Sequence, residues 1–306
     1  MTKSSKNTES SIEKQNIVDK LFELEEKTSN HDIQKIIDEH IADVIHDSNL
    51  SETFNILLLF DDESILRATS DKIYKSLIEF DLEKPTLLLL NTPGGDVAAA
   101  YLISKLCREH TNKNFEVAVP RRAKSAGTLI CCGADKIHMG SLSELGPIDP
   151  QLGNIPALAF KNSVEHLAKL VEQYPASSRM FSDYLAKALN VESIGYFERV
   201  AESAKQYAER LLDARLIKSL DKHNTSIAHH LVYEYKDHGF VIDSREAKKI
   251  FGDLIIDCNT DEYKFANTIY EELNFIGIIC NFKFSKNFTY VGNSKNGSNL
   301  TDIKQT

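Results

Sequence analysis

The chain of 306 residues has only five cysteines, and no two of them form a CxxC pair. Cys107, Cys131, Cys132, Cys258 and Cys280 are odd in number and lie mostly in apolar segments. This argues against a disulfide framework and reads as reduced, buried thiols in a cytoplasmic protein. Adjacent Cys131 and Cys132 have no other Cys or His at ligand spacing, so neither a metal nor a cofactor is expected. Long hydrophobic runs are also missing. The longest, "ILLLF" from 56 and "LLLL" from 87, fall far short of the roughly 20 residues that span a bilayer. The opening "MTKSSKNTESSIEKQNIVDKLFELEEK" lacks the apolar core of a secretory signal, so no intrinsic membrane anchor is expected. Positive charge is in deficit, with a net charge of −9, which excludes a general nucleic-acid surface. No internal repeat and no clean domain boundary is visible.

What is present is enough apolar residue, 42%, to build a core. After a polar stretch over about 1–10, expected to be disordered, "IVDKLFELEEK" and "IQKIIDEHIADVIHD" carry apolar residues at helical spacing. "TFNILLLF", "KPTLLLLNTPGG", "NFEVAVP" and "DKIHMG" read as strands. Helices through "SILRATSDKIYKSLIEF", "DVAAAYLISKLCREH" and "SAGTLICCGA" separate them. Asp96 is placed to cap the second of these. Strands apolar on both faces, alternating with helices, call for a mostly parallel sheet with helices covering it and right-handed crossovers.

Residues 160–220 read as helices, the last running through "YFERVAESAKQYAERLLDARLIKSL". "SREAKKIFGDLI" reads as a short helix, with Ser244 as its N-cap, leading into a strand. Residues 260–275 are expected to be helical and "NFIGIICNFKF" to be a last strand. The division is thus 1–50, a polar segment and helices; 51–285, the main domain; and 286–306, a mobile polar tail.

Two strand-to-helix turns stand out. "NTPGGDV" supplies two glycines, and "KSAGT" supplies a serine followed by Ala-Gly. Both fall at carboxyl ends of strands, where open α/β sheets place their sites. One turn can offer backbone amides to an oxyanion and the other a hydroxyl. Taken singly, the first is an ordinary turn and the second an ordinary helix cap.

"LLLLNTPGGDV", "AKSAGTLICCGADKIHMG" and "SELGPIDPQL", in that order, resemble the ClpP/crotonase superfamily. Within it they are most similar to the serine dehydrogenase proteinase family of the signal-peptide-peptidase-A-like branch. The resemblance is dense over about 54–152 and collinear to about 256, where "FVIDSREAKKIFGDLI" matches a late ClpP-like element. It implies a ClpP/crotonase-like spiral of mostly parallel strands wrapped by helices, here with added N-terminal helices. It implies homo-oligomers and a serine endopeptidase acting on peptides or unfolded protein without metal or nucleotide. Carried over residue by residue, Ser125 is the nucleophile, Gly94 and Gly95 form the oxyanion-hole pair, and Ala126 supplies the other amide.

The base stays open. Where ClpP carries its histidine, this chain has Asp149, in "GPIDPQ". Members of the branch use a lysine from a later helix, which must be desolvated to accept a proton. Lys205 is one candidate base, and Lys169 and Lys187 lie on earlier helices. His238, in "KDHGFVIDSREA", is the other candidate, beside the position of the ClpP aspartate. Asp149 is then either the orienter of a Ser-His-Asp set or simply a rigid turn between prolines. Lys124 adjoins the serine and is expected to point elsewhere, the alternative being that it helps polarise the site. Two other functions fit the same fold: a catalytically inactive oligomeric scaffold, and a crotonase-like acyl-CoA enzyme.

Overall fold

The structure, a computed structural model, describes residues 17–152, 155–188, 191–217 and 223–303. The stretch expected to be disordered at the start of the chain lies outside these.

The two leucine-rich runs form the centre. In β1 (Asn55–Phe60) and β2 (Thr86–Asn91) nearly every residue is buried. Successive side chains point to opposite faces. Leu57, Leu59, Leu88 and Leu90 enter one core, whereas Ile56, Leu58, Leu87 and Leu89 enter another. A strand covered on both faces needs apolar residues at every position, which is why these runs are unbroken. β3 (Phe115–Val119), β4 (Lys136–Met139) and β5 (Ile256–Cys258) continue the sheet in parallel. β6 (Lys286–Gly292) and β7 (Ser298–Asp302) form an antiparallel hairpin on the other side of β1. The order across the sheet is β7-β6-β1-β2-β3-β4-β5.

The helices in chain order are α1 (Ile17–Glu23), α2 (Asn30–His46), α3 (Arg67–Leu77), α4 (Val97–Glu109) and α5 (Ala126–Cys132). They continue with α6 (Ala157–Gln173), α7 (Ser178–Ala188), α8 (Val191–Ala214), α9 (Asn224–His229), α10 (Ser244–Phe251) and α11 (Asp261–Phe284). One face of the sheet is covered by α3, α4 and α5, with α8 packed outside α4 and α5. Tyr101 of α4 and Tyr207 of α8 meet there with ring centroids 4.6 Å apart. The other face is covered by α1, α2 and α11. In α2 the isoleucines at 33, 37, 41 and 45 are all buried, one per turn, and Ser29 caps the helix by accepting from Asp32 N–H. Asp96 caps α4 as its position suggested, accepting from Ala99 N–H at 2.6 Å.

The fold departs from the sequence reading in four places. "NFIGIICNFKF" is not a strand but the second half of α11. Residues 286–302, expected as a mobile tail, form the β6–β7 hairpin, held by burial of Phe288, Tyr290, Val291 and Leu300. The hairpin is fastened to α2: Gln34 Nε2 donates to Ser298 O at 3.1 Å, and Ser298 N–H donates to Asp38 Oδ1 at 2.9 Å. α10 is capped by Asp243, which accepts from the amides of Arg245 and Glu246, and not by Ser244. α8 ends at Ala214, and the next residue, Arg215, is buried; residues 218–220 of the expected helix lie outside the described residues.

Candidate active site

Beyond the carboxyl ends of the central strands the chain enters a second, very short ladder. Thr92 bridges Ala123 in parallel, Arg122–Ala123 pairs with Glu144–Leu145 in parallel, and Leu145 bridges Ile242 antiparallel. Thr92 N–H donates to Arg122 O at 2.9 Å and Lys124 N–H to Thr92 O at 3.1 Å. Leu145 and Ile242 exchange bonds of 2.9 and 3.0 Å. Every sequence-predicted site residue except Lys205 hangs from this row. Gly94 and Gly95 follow Thr92, Ser125 and Ala126 follow Ala123, Asp149 follows Leu145, and His238 precedes Ile242.

Ser125 occupies the N-cap position of α5, yet its hydroxyl makes no capping bond. Its backbone, at φ 50° and ψ −111°, lies in a region that L residues rarely adopt. Such a turn between strand and helix presents the side chain instead of folding it back onto the helix. Ala126, first residue of α5, is fully buried, and its N–H has no partner within the helix.

The glycine pair packs against this elbow. Gly94 has φ +117°, and a Cβ on it would stand 2.9 Å from Lys124 O and 3.0 Å from Ser125 Cβ. Gly95 has φ +141°, and a Cβ there would come within 2.4 Å of Ile65 O. The surrounding bonds are Ile65 N–H to Gly94 O at 2.7 Å and Asp96 N–H to Ile65 O at 2.9 Å. Gly94 N–H donates to Thr92 Oγ1 at 3.2 Å. Among the described residues no backbone acceptor pairs with Gly95 N–H, and Gly95 directly follows the glycine that packs against Ser125.

Asp149 is buried and His238 half-buried, and the two interact electrostatically. Asp149 is only 5% exposed, and Gln151 Nε2 donates to its Oδ2 at 3.1 Å. Burial pushes the Asp149 carboxyl above its ordinary range, while attraction to His238 and the Gln151 bond pull the other way. Each residue leaves one buried polar atom without a hydrogen-bond partner, Asp149 Oδ1 and His238 Nδ1.

The lysines lie differently. Lys205 of α8 is ion-paired with Glu202 and Glu209, both at 3.8 Å. A lysine between two carboxylates is in poor surroundings for a base. Lys169 and Lys187 are exposed on α6 and α7. Lys124 reaches Glu144 and the 239–240 carbonyls.

Sequence reading missed Arg215. It is buried, and it donates to Cys132 O at 2.7 Å and Cys131 O at 3.0 Å. It thereby caps the C-terminus of the helix whose N-terminus carries Ser125. Burial lowers its pKa to about 10. The available signal was spacing: Ala204, Ala208 and Leu211 are buried at helical intervals, and the next place in that series is 215. The Cys131 and Cys132 thiols are buried, which pushes both up, Cys132 to about 12. No group of three or more His, Cys, Asp or Glu among the described residues could hold a metal ion.

A largely parallel sheet, a short second ladder at its carboxyl edge and a serine elbow backed by two glycines define a ClpP-like serine proteinase architecture. The chain belongs to the family of ClpP-like SDH-type serine proteinases, whose model matches residues 26–256. The match takes in α2, so it begins well before the motif-bearing segment. Two uncharacterized proteins of Methanocaldococcus jannaschii are each 30% identical to the chain, over 182 and 163 residues. These matches take in 60% and 52% of this chain and 62% and 52% of the relatives, so the chain spans less than two thirds of their length. Among solved structures it is similar to the 1510-N membrane-bound stomatin-specific protease in complex with a substrate peptide, at 15% identity and a TM-score of 0.43, over 83% of this chain and 92% of that one. It is also similar to ClpP1 from Listeria monocytogenes, at 17% identity and a TM-score of 0.41, over 74% and 98%. No helix among the described residues is long and apolar enough to cross a membrane.

Proposed function

We propose that this chain is a serine endopeptidase that hydrolyses peptide bonds through an acyl-enzyme on Ser125. The observation that carries the reading is the strained serine at φ 50°, uncommitted to helix capping and packed against Gly94. The amides of Gly95 and Ala126 hold the oxyanion of the tetrahedral intermediate. His238 takes the Ser125 proton through one ring nitrogen and later gives it to the leaving amine. A hydrogen bond from its Nδ1–H to Asp149 Oδ1, formed on closure of the site, would satisfy both unpaired buried atoms at once. Lys205, with its two ion pairs, is the second candidate for the base.

The substrate is a peptide or unfolded segment, and the working form is a homo-oligomer in the cytoplasm. The cysteines, all free and four of them buried, support that compartment.

Labelling with a fluorophosphonate probe tests this. Wild type should label and Ser125→Ala should not. His238→Ala should slow labelling to a small residual rate and Lys205→Ala should leave it unchanged. The reverse pattern would transfer the base to Lys205. A folded wild-type protein that does not label would overturn the peptidase reading in favour of an inactive scaffold.

A further inference from the structure

The loop that carries His238 has few ties of its own. Asp237, Gly239, Phe240 and Val241 are exposed. Within the loop, Gly239 N–H donates to Asp237 Oδ1 at 3.0 Å and Phe240 N–H to Asp237 O at 3.1 Å. The Phe240 ring rests on Tyr235 with centroids 4.8 Å apart. These contacts shape the loop but do not place it against the serine. The ladder bond to Leu145 begins only at Ile242.

Lys124 bridges that gap. Its Nζ donates to Phe240 O at 2.9 Å, Gly239 O at 3.3 Å and Leu145 O at 3.4 Å, with Glu144 Oε2 at 3.5 Å. Among the described residues it is the one donor that reaches the 239 and 240 carbonyls. Its side chain is 15% exposed, with the stem laid along Gly146, where an added Cβ would meet Lys124 Cδ at 3.1 Å. A lysine among three carbonyls and a carboxylate, with its stem boxed in, is held in one geometry rather than waving in solvent.

We propose that Lys124 is a positioning residue that fastens the His238 loop to the serine elbow, so that Ser125 and its base keep one distance. The proposal rests on His238 acting as the base. Lys124 is bonded to Ser125 through the backbone and to Gly239 and Phe240 through space. Any displacement of the elbow is therefore transmitted to the residues beside His238. The lysine does its work while charged, as a three-way donor, and takes no proton from the serine.

A double-mutant cycle on the full chain tests this. Lys124→Met keeps the stem and removes the donors. It should slow fluorophosphonate labelling by about 10- to 100-fold, the scale of loss when a catalytic group is misplaced by about 1 Å. Lys124→Arg, which can still donate to carbonyls, should recover part of that loss. In the His238→Ala background Lys124→Met should add nothing, because there is no base left to position. Full additivity of the two changes, or an unchanged labelling rate in Lys124→Met, would overturn the proposal. If His238→Ala labels as wild type does, the base assignment fails first, and this inference falls with it. If only the cycle is additive, the base stands and the positioning role alone falls. Urea denaturation of each variant separates a folding defect from a slowed site: a labelling loss that tracks lost stability would also overturn the role.

Discussion

Gly94 and Ser125 stand so close that a methyl group on the glycine would lie 3.0 Å from the serine Cβ. The two residues come from different strand-to-helix turns, and neither can change shape without moving the other. Gly94→Ala should slow fluorophosphonate labelling by on the order of 100-fold, because both the elbow and the neighbouring amide are displaced. Its φ of +117° also disfavours any L side chain, so a loss of about 1–3 kcal/mol in denaturant unfolding is expected.

Ser125 itself carries backbone strain, at φ 50° and ψ −111°. Glycine tolerates that conformation where alanine does not. Ser125→Gly should therefore unfold later in urea than Ser125→Ala, by about 1 kcal/mol, although neither labels. Equal stability of the two would mean that the elbow is not strained.

Asp149 sets a pH dependence whose sign follows from burial. Its native pKa is raised above the unfolded value of 3.8. The native state then holds the proton more tightly than the unfolded chain does. The contribution to stability is fully present below pH 3.8 and is lost as pH rises through the native value. Asp149→Asn should thus stabilise the protein at neutral pH, by about 1 kcal/mol for each unit of upward shift removed. The gain should vanish near pH 3. Thermal melts of both proteins across that range check the sign. Labelling should fall in the same variant, since His238 loses its orienting charge.

Arg215→Met should destabilise the fold by about 2–4 kcal/mol, since two buried carbonyls, Cys131 O and Cys132 O, lose their charged donor. Arg215→Lys should recover little, because an ammonium lacks the fork that reaches both acceptors. Guanidinium titrations of the two variants measure this.

The central sheet and the serine were legible for local reasons. A run such as "LLLLNTPGG" announces a buried strand and its turn within nine residues. The C-terminal part was not, because its signals are mixed. α11 is apolar on two faces: Phe265, Ile269 and Leu273 enter the core, while Phe275, Ile278 and Phe282 are exposed. This blurs the helical period and lets "NFIGIICNFKF" pass for a strand. The β6–β7 hairpin is polar in composition because it lies at the edge of the sheet, and four buried side chains suffice to hold it. The choice of base stayed open for another reason. Asp149 and His238 are both candidates by sequence, but they are far apart along the chain, and no local pattern announces that their charges interact.

The fastening of α2 to β7 makes one core depend on two distant segments of the chain. The isoleucine face of α2 lies in one core with Phe288, Tyr290 and Leu300, and Ser298 bonds both Gln34 and Asp38. Asp38 and Ser298 are 260 residues apart in sequence, so this contact closes a long loop and carries a high entropic cost in folding. A chain cut at residue 285 should be digested by trypsin far faster than the intact one. Without the hairpin, the isoleucine face of α2 and the outer edge of β1 would both be left open, so one small polar-looking ribbon closes an entire hydrophobic interior.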